Sequence, residues 1–129
     1  MRKRTALLAA AGALALVGTS APNAAADGHG IGYYGLWATG VNVREMYPID
    51  SCWDYPSPAN CPDVLGQVGA PTQVFVRCQI PGQPVGGNPY WVVVEVPGWS
   101  KYGVMASYYL DNSSNWIDGV PDHCVWSGG

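Results

Sequence analysis

Four cysteines and two histidines are the residues of this chain whose types could support metal binding, redox chemistry or nucleophilic catalysis. The segment CWDYPSPANC, from Cys52 to Cys61, brackets two aromatic rings and two prolines, whereas Cys78 and Cys124 stand apart. A zinc site favours closely spaced cysteine pairs, and a thioredoxin-like centre requires a C-x-x-C motif. Neither spacing occurs, so the cysteines favour disulfides, and no metal or other cofactor is expected.

The histidines and carboxylates do not suggest a catalytic site. His29 lies in a glycine-rich stretch and His123 stands beside a cysteine, and neither has an evident acid–base or nucleophile partner in the sequence. The paired aspartates Asp50 and Asp54 lie in a segment rich in proline, where such residues commonly form turns. The sequence therefore predicts a protein that is not an enzyme.

The N-terminus indicates secretion. The basic stretch MRKR precedes an apolar run, ALLAAAGALALVG, that is too short to span a bilayer comfortably, and an A-x-A pattern follows at residues 24–26. These features predict a signal peptide over residues 1–26, with cleavage before Asp27. The remaining 103 residues are long enough for one small domain. We expect an extracellular or cell-wall-associated monomer without a membrane anchor.

Secretion also predicts the state of the cysteines, because four thiols in a small extracellular chain usually form two disulfides. We predict a Cys52–Cys61 bridge, which closes one loop, and a Cys78–Cys124 bridge, which attaches the C-terminal tail to a core strand. The other two pairings would cross the fold.

Charge excludes one class of partner. Beyond residue 26 the chain has three basic and nine acidic residues, a formal net charge of −6. An acidic surface repels phosphate backbones, so nucleic acid is not an expected partner. Ligands must instead be held by stacking, shape and hydrogen bonds.

The elements that would position these residues are predicted to be short strands. Alternating apolar and polar residues, bounded by glycine and proline, indicate a strand with one buried face. On this basis Val74, Val76 and Cys78 are predicted to share a face, residues 81–89 to form a long turn, and ASYYL to form one helical turn. The predicted strands cover residues 39–45, 64–69, 72–80, 90–96 and 101–106.

The order of these segments resembles the bacterial SH3-like domains, in particular small secreted forms from actinobacteria. The similarity lies in GVNVRE (40–45) and GVMASYYL (103–110), with VLGQV, CQIPGQPVGGNPYW and DGVPDHC in matching order. The resemblance implies an all-β, five-stranded SH3-like barrel over residues 37–110. A flexible arm (27–36) would precede it, and a disulfide-pinned extension (111–129) would follow. Val104 departs from the family pattern, which usually has tryptophan there.

The resemblance also implies a non-catalytic module that binds cell-wall peptides or other proteins. All fifteen aromatic residues lie beyond residue 26, more than a small barrel can bury. In SH3-like barrels the first long loop lies beside the closing helical turn, which would form an aromatic groove for a cell-wall peptide or a glycine/proline-rich segment. Its predicted ligand-binding residues are Tyr47, Trp53, Tyr55, Trp91, Tyr108 and Tyr109.

Two alternatives remain open from the sequence. The rings could simply cover a thin core, as in many small domains. The protein could also be a secreted interaction factor, such as an inhibitor of an extracellular enzyme, that presents CWDYPSPANC to a partner as a rigid loop.

Overall fold

The computed structural model describes residues 28–124 and has an all-β architecture, which confirms the predicted fold class. One sheet has the strand order β1-β4-β5-β6-β2-β3, with antiparallel neighbours, and curls into a half-barrel. The signal peptide and the last five residues of the predicted extension lie outside the described residues. The strands are β1 (Gly32–Gly35), β2 (Val41–Arg44), β3 (Val64–Val68), β4 (Gln73–Val85), β5 (Asn88–Glu95) and β6 (Tyr102–Ala106), joined by helix α1 (Asp50–Asp54) and a 3-10 turn (Ser107–Tyr109).

The sixth strand comes from the segment predicted as a flexible arm, a prediction that is wrong for Gly32–Gly35. This strand, β1, pairs with β4 and places Tyr34 opposite Val74. Tyr34 is buried and its hydroxyl donates to the carbonyl of Gly30 at 2.8 Å, whereas Tyr33 is exposed. In the sequence, the surrounding glycines conceal the alternation of Tyr33 and Tyr34 between an exposed and a buried face. The segment forms a strand because the edge of β4 is available to pair with it.

The hairpin between β4 and β5 is tighter than predicted. The turn expected over 81–89 contains only Gly86 and Gly87 between the strand ends. Both have positive φ, +57° and +83°, as a two-residue hairpin turn of type I′ requires. β4 therefore extends to Val85, well beyond its predicted end at residue 80, and β5 begins at Asn88, two residues before its predicted start.

A bulge in β4 changes the predicted inward face of that strand. The register with β5 shifts between Val76 and Cys78, so that Val76 faces Val94 while Cys78 faces Val93. Val76 packs in one core, and Cys78 packs in the other. The prediction of a shared face is correct for Val74 and Val76 and wrong for Cys78, because an extra residue in a bulge reverses the alternation that follows it.

Both faces of the sheet are therefore covered. On one face, Val92 and Met105 pack with Ile117 and Val120 of the C-terminal extension. On the other, the segment from Met46 to Cys61, which contains α1, packs over residues that include Ile80, Trp91 and Val93. We call this segment the stapled loop, because the Cys52–Cys61 disulfide closes it.

Both predicted disulfides are present, and the C-terminal extension is pinned to the sheet by Cys78–Cys124, as predicted. The extension runs parallel to β4 beyond the end of β1, with a bridge between Gln79 and Asp122. The amide of Gln79 donates to the carbonyl of Pro121 at 2.9 Å, and that of His123 donates to the carbonyl of Gln79 at 2.8 Å. The extension thus occupies an otherwise open edge of β4.

Candidate functional site

A groove of about 210 Å³ lies between β2, the stapled loop and the ends of β5 and β6 nearest the Gly86–Gly87 turn. Its wall from β2 carries polar side chains, while the opposite side is aromatic and apolar. We call it the aromatic groove. It is lined by Thr39, Gly40, Val41, Asn42, Arg44, Pro58, Val85, Trp91, Ala106 and Tyr109.

Trp91 is held rigidly at the base of the groove. It is buried, and its indole N–H donates to the carbonyl of Gln83 at 2.8 Å. The stapled loop approaches closely here: a Cβ on Gly82 would lie 2.4 Å from the carbonyl oxygen of Pro56 and 2.8 Å from Cδ1 of Trp91. Only glycine allows this contact, so Gly82 determines how the loop and the indole ring form the groove.

Two further rings, those of Trp37 and Tyr108, form an aromatic rim around Tyr109. The centroids of Trp37 and Tyr108 lie 5.7 and 5.2 Å from that of Tyr109, and 5.2 Å from each other. The indole N–H of Trp37 donates to the carbonyl of Tyr108 at 2.9 Å. Yet Trp37 is 55% exposed and Tyr108 is 37% exposed, so the two rings are ordered while still open to solvent.

The six aromatic residues predicted for the site do not form one group. Trp91 and Tyr109 line the groove, and Tyr108 adjoins it at the rim. Tyr47, Trp53 and Tyr55 are not among its lining residues.

The rings of the stapled loop lie outside the groove. Trp53 packs on Tyr102 at 6.1 Å between centroids, and Tyr47 and Tyr55 are exposed. The loop contributes Pro58 to the groove in their place. It is also a packed layer and not a projecting loop, since Cys52, Pro56 and Ser57 are buried.

Sequence reasoning missed the polar wall of the groove. Asn42 and Arg44 alternate with Val41 and Val43 along β2, so their outward positions were visible in the pattern. The sequence pattern did not indicate that another element would lie opposite Asn42 and Arg44. Pro58 supplies that element across the groove.

A second, larger cleft of about 550 Å³ lies at the opposite end of β5, around the turn that leads to β6. Its rings include those of Tyr33, Phe75 and Trp99. Its charges are matched: Arg77 pairs with Glu95, and Lys101 reaches Glu45 at 3.0 Å. The cleft is therefore close to electrically neutral.

Tyr102, at the edge of this second cleft, has a raised pKa. Burial is the main cause, and nearby Tyr47 and Glu45 add to it. Since the fold favours the neutral phenol, the stability linked to this group is complete below about pH 10 and is lost as the pH rises through the raised pKa.

We expect Tyr102 to ionise above the usual pH range of a tyrosine, because the fold raises its pKa. Absorbance of tyrosinate is followed during alkaline titration of the wild type and of Tyr102→Phe. The difference between the two curves reports Tyr102 and should have its midpoint above about pH 10. A midpoint at or below the usual tyrosine value would contradict the assignment.

The remaining polar groups do not assemble a metal centre in residues 28–124, where no three histidine, cysteine, aspartate or glutamate side chains are grouped to hold an ion. His29 stacks on Tyr34 at 4.2 Å. Nδ1 of His123 lies 2.8 Å from Oδ1 of Asp122, with both side chains 55% exposed. No helix in the described part of the chain combines the length and apolar character needed to cross a bilayer.

Comparisons with family models, curated proteins and solved structures found no match to this chain. Fixed rings, a proline and polar side chains along one strand can hold a ligand by stacking and hydrogen bonding.

Proposed function

We propose that this protein is a secreted, non-catalytic binding module that holds an extended, proline-rich peptide segment in the aromatic groove. The observation that carries the proposal is the composition of the groove. Its rings, from Trp91, Tyr109 and the rim, stand beside hydrogen-bond donors, and its lining contains no carboxylate.

The donors suit a polyproline II segment. Such a helix has no internal hydrogen bonds, and proline has no N–H, so the peptide presents carbonyl acceptors almost alone. The groove offers the amide of Asn42, the guanidinium of Arg44 and the hydroxyl of Tyr109. The side-chain oxygen of Asn42 is already engaged by Gln67 at 2.9 Å. A glycine-rich wall peptide would bring N–H groups for which the groove has few acceptors.

Preorganisation favours the same ligand. Proline-rich segments typically dock between aromatic side chains that are already in place. Here the ring of Trp91 is fixed by its bond to Gln83, and Trp37 is fixed by its bond to Tyr108. Little side-chain entropy would be lost on binding, so a shallow groove can still give useful affinity.

The remaining parts of the proposal rest on the sequence. Secretion is supported by the N-terminal pattern and by two disulfides, which are typical of oxidising compartments. The resemblance to bacterial SH3-like domains supports a binding role in the extracellular space or at the cell wall. The inhibitor alternative relied on a presented loop, and the packing of the stapled loop on the sheet favours the groove instead.

Replacing Tyr109 with alanine should weaken binding of a short polyproline peptide by about 2 kcal/mol, as expected for an aromatic hot spot. Titration calorimetry with the disulfide-bonded protein measures this. Tyr55→Ala is the matched control, because Tyr55 is 47% exposed and lies outside the groove. Near-ultraviolet circular dichroism verifies the fold of both variants. Equal affinities in wild type and Tyr109→Ala, or equal losses in the two variants, would contradict the proposal.

A further inference from the structure

We propose that the peptide bound in the aromatic groove carries a carboxylate, and that Arg44 selects it through a charge-assisted hydrogen bond. This inference rests on the proposed function, because it names a feature of the ligand of the same groove. It concerns specificity, whereas the aromatic residues determine whether a peptide binds at all.

Of the arginine and lysine side chains in residues 28–124, that of Arg44 alone forms no ion pair with a described residue. Arg77 pairs with Glu95, and Lys101 pairs with Glu45, both at the second cleft. Arg44 is partly buried, and it is the single charged residue in the lining of the groove. The groove therefore contains an unpaired positive charge, although the described residues carry more acidic than basic side chains.

The hydrogen bonding of the guanidinium is also incomplete. Nη1 of Arg44 donates to the carbonyl of Cys61 at 3.2 Å, which is the one acceptor that the described residues provide for this side chain. An arginine has five N–H donors in a planar fork that matches a carboxylate. Several of these donors are left for a ligand in the groove.

The stapled loop holds the guanidinium in position. Cys61 is buried, is bonded to Cys52, and its amide donates to the carbonyl of Ser57 at 2.8 Å. Its carbonyl is thus a fixed point for Nη1 of Arg44. At the other end of the side chain, the backbone of Arg44 lies in the ladder between β3 and β6. The guanidinium is anchored from both ends before a ligand arrives.

A carboxylate is the ligand group that this arrangement fits. It supplies the missing negative charge and accepts from the unused donors, and charge-assisted bonds of this kind are stronger than neutral ones. The carboxylate could belong to the C-terminus of the peptide or to an aspartate or glutamate next to the proline-rich stretch. The chemistry at Arg44 is the same in both cases.

Three synthetic peptides test the inference against the disulfide-bonded protein by titration calorimetry. The first is an acetylated, amidated polyproline of no charge. The second has a free C-terminal carboxylate, and the third is amidated with one internal glutamate. We expect one or both charged peptides to bind about tenfold more tightly than the neutral peptide, as for a hydrogen bond to a charged group. The charged peptide that binds more tightly shows whether the carboxylate belongs to the C-terminus or to an internal acidic residue.

Arg44→Gln should abolish this preference, because the variant loses the charge that pairs with a carboxylate but keeps an amide donor. The preference is the ratio of the charged-peptide to the neutral-peptide affinity measured on the same variant, so any general loss of peptide affinity cancels. Arg44→Lys should retain part of the preference. Lys101→Gln is the matched control, since it removes one positive charge at the second cleft, and it should keep the full preference.

The outcomes separate this inference from the proposed function. Wild-type protein that binds all three peptides equally, or an Arg44→Gln variant that keeps the preference, would overturn the role of Arg44 while the groove remains a peptide site. Absence of binding to all three peptides would overturn the proposed function and this inference together.

Discussion

Replacement of Gln79 by methionine should lower the free energy of unfolding by about 4 kcal/mol, one of the two largest effects that we expect in this protein. Gln79 has no exposed surface. Its side-chain amide donates to the carbonyls of Ile117 and Val120 at 2.9 and 2.8 Å, and its oxygen accepts from the amide of Ile117 at 3.0 Å. Methionine has a similar shape, so the loss comes from buried backbone groups left without partners.

Chemical denaturation followed by tryptophan fluorescence measures this loss. Gln67→Met is the matched control, because Gln67 is exposed and its side chain bonds, within residues 28–124, only to that of Asn42. Its effect should stay within about 0.5 kcal/mol. We also expect the Gln79 variant to be cleaved faster by proteases in the C-terminal extension. Similar denaturation midpoints for the two variants would show that the extension does not depend on Gln79.

Removal of the Cys78–Cys124 disulfide by the double change Cys78→Ala and Cys124→Ala should cost about 4 kcal/mol, from the entropy of a loop closed over 46 positions of sequence separation. The corresponding change at Cys52 and Cys61, separated by nine positions, should cost about 2.7 kcal/mol. The longer loop gives the larger effect, because its closure removes more freedom from the unfolded chain.

Denaturation of the two double variants under the same conditions compares these costs. If the first variant is unfolded at 25 °C, both variants are measured in a buffer that contains a stabilising osmolyte. The order of the two effects is then given by the two melting temperatures. A larger loss of stability in the Cys52 and Cys61 variant would contradict the argument from loop length. It would indicate that packing of the stapled loop on the sheet outweighs chain entropy.

Local patterns in the sequence determined several features correctly. The alternation in VNVR and the apolar run of β5 predicted strands, because side chains of a strand alternate between faces whatever the strand pairs with. The pairing of the cysteines followed from their separations and from the need to attach a tail with few apolar residues. The 3-10 turn Ser107–Tyr109 lies where one helical turn was predicted.

The candidate site was predictable only in part. The aromatic excess predicted a groove lined by rings, and of the six residues predicted for it Trp91 and Tyr109 line the aromatic groove. The loop rings Tyr47, Trp53 and Tyr55 could not be placed, because their positions depend on how the stapled loop packs against the sheet. No local pattern contains that information, since the contacts join residues far apart in the chain.

What the sequence by itself determined, then, was the class of fold, the two disulfides and the presence of surplus aromatic rings. The tertiary structure decided which residues face one another. Pairing with β5 created the bulge that moved Cys78 to the other face, and the free edge of β4 made a strand of Gly32–Gly35. The same packing placed Arg44 in the aromatic groove with Pro58, where no described residue forms an ion pair with it. Such relations arise from non-local contacts, whose energies depend on burial and distance that a linear sequence does not display.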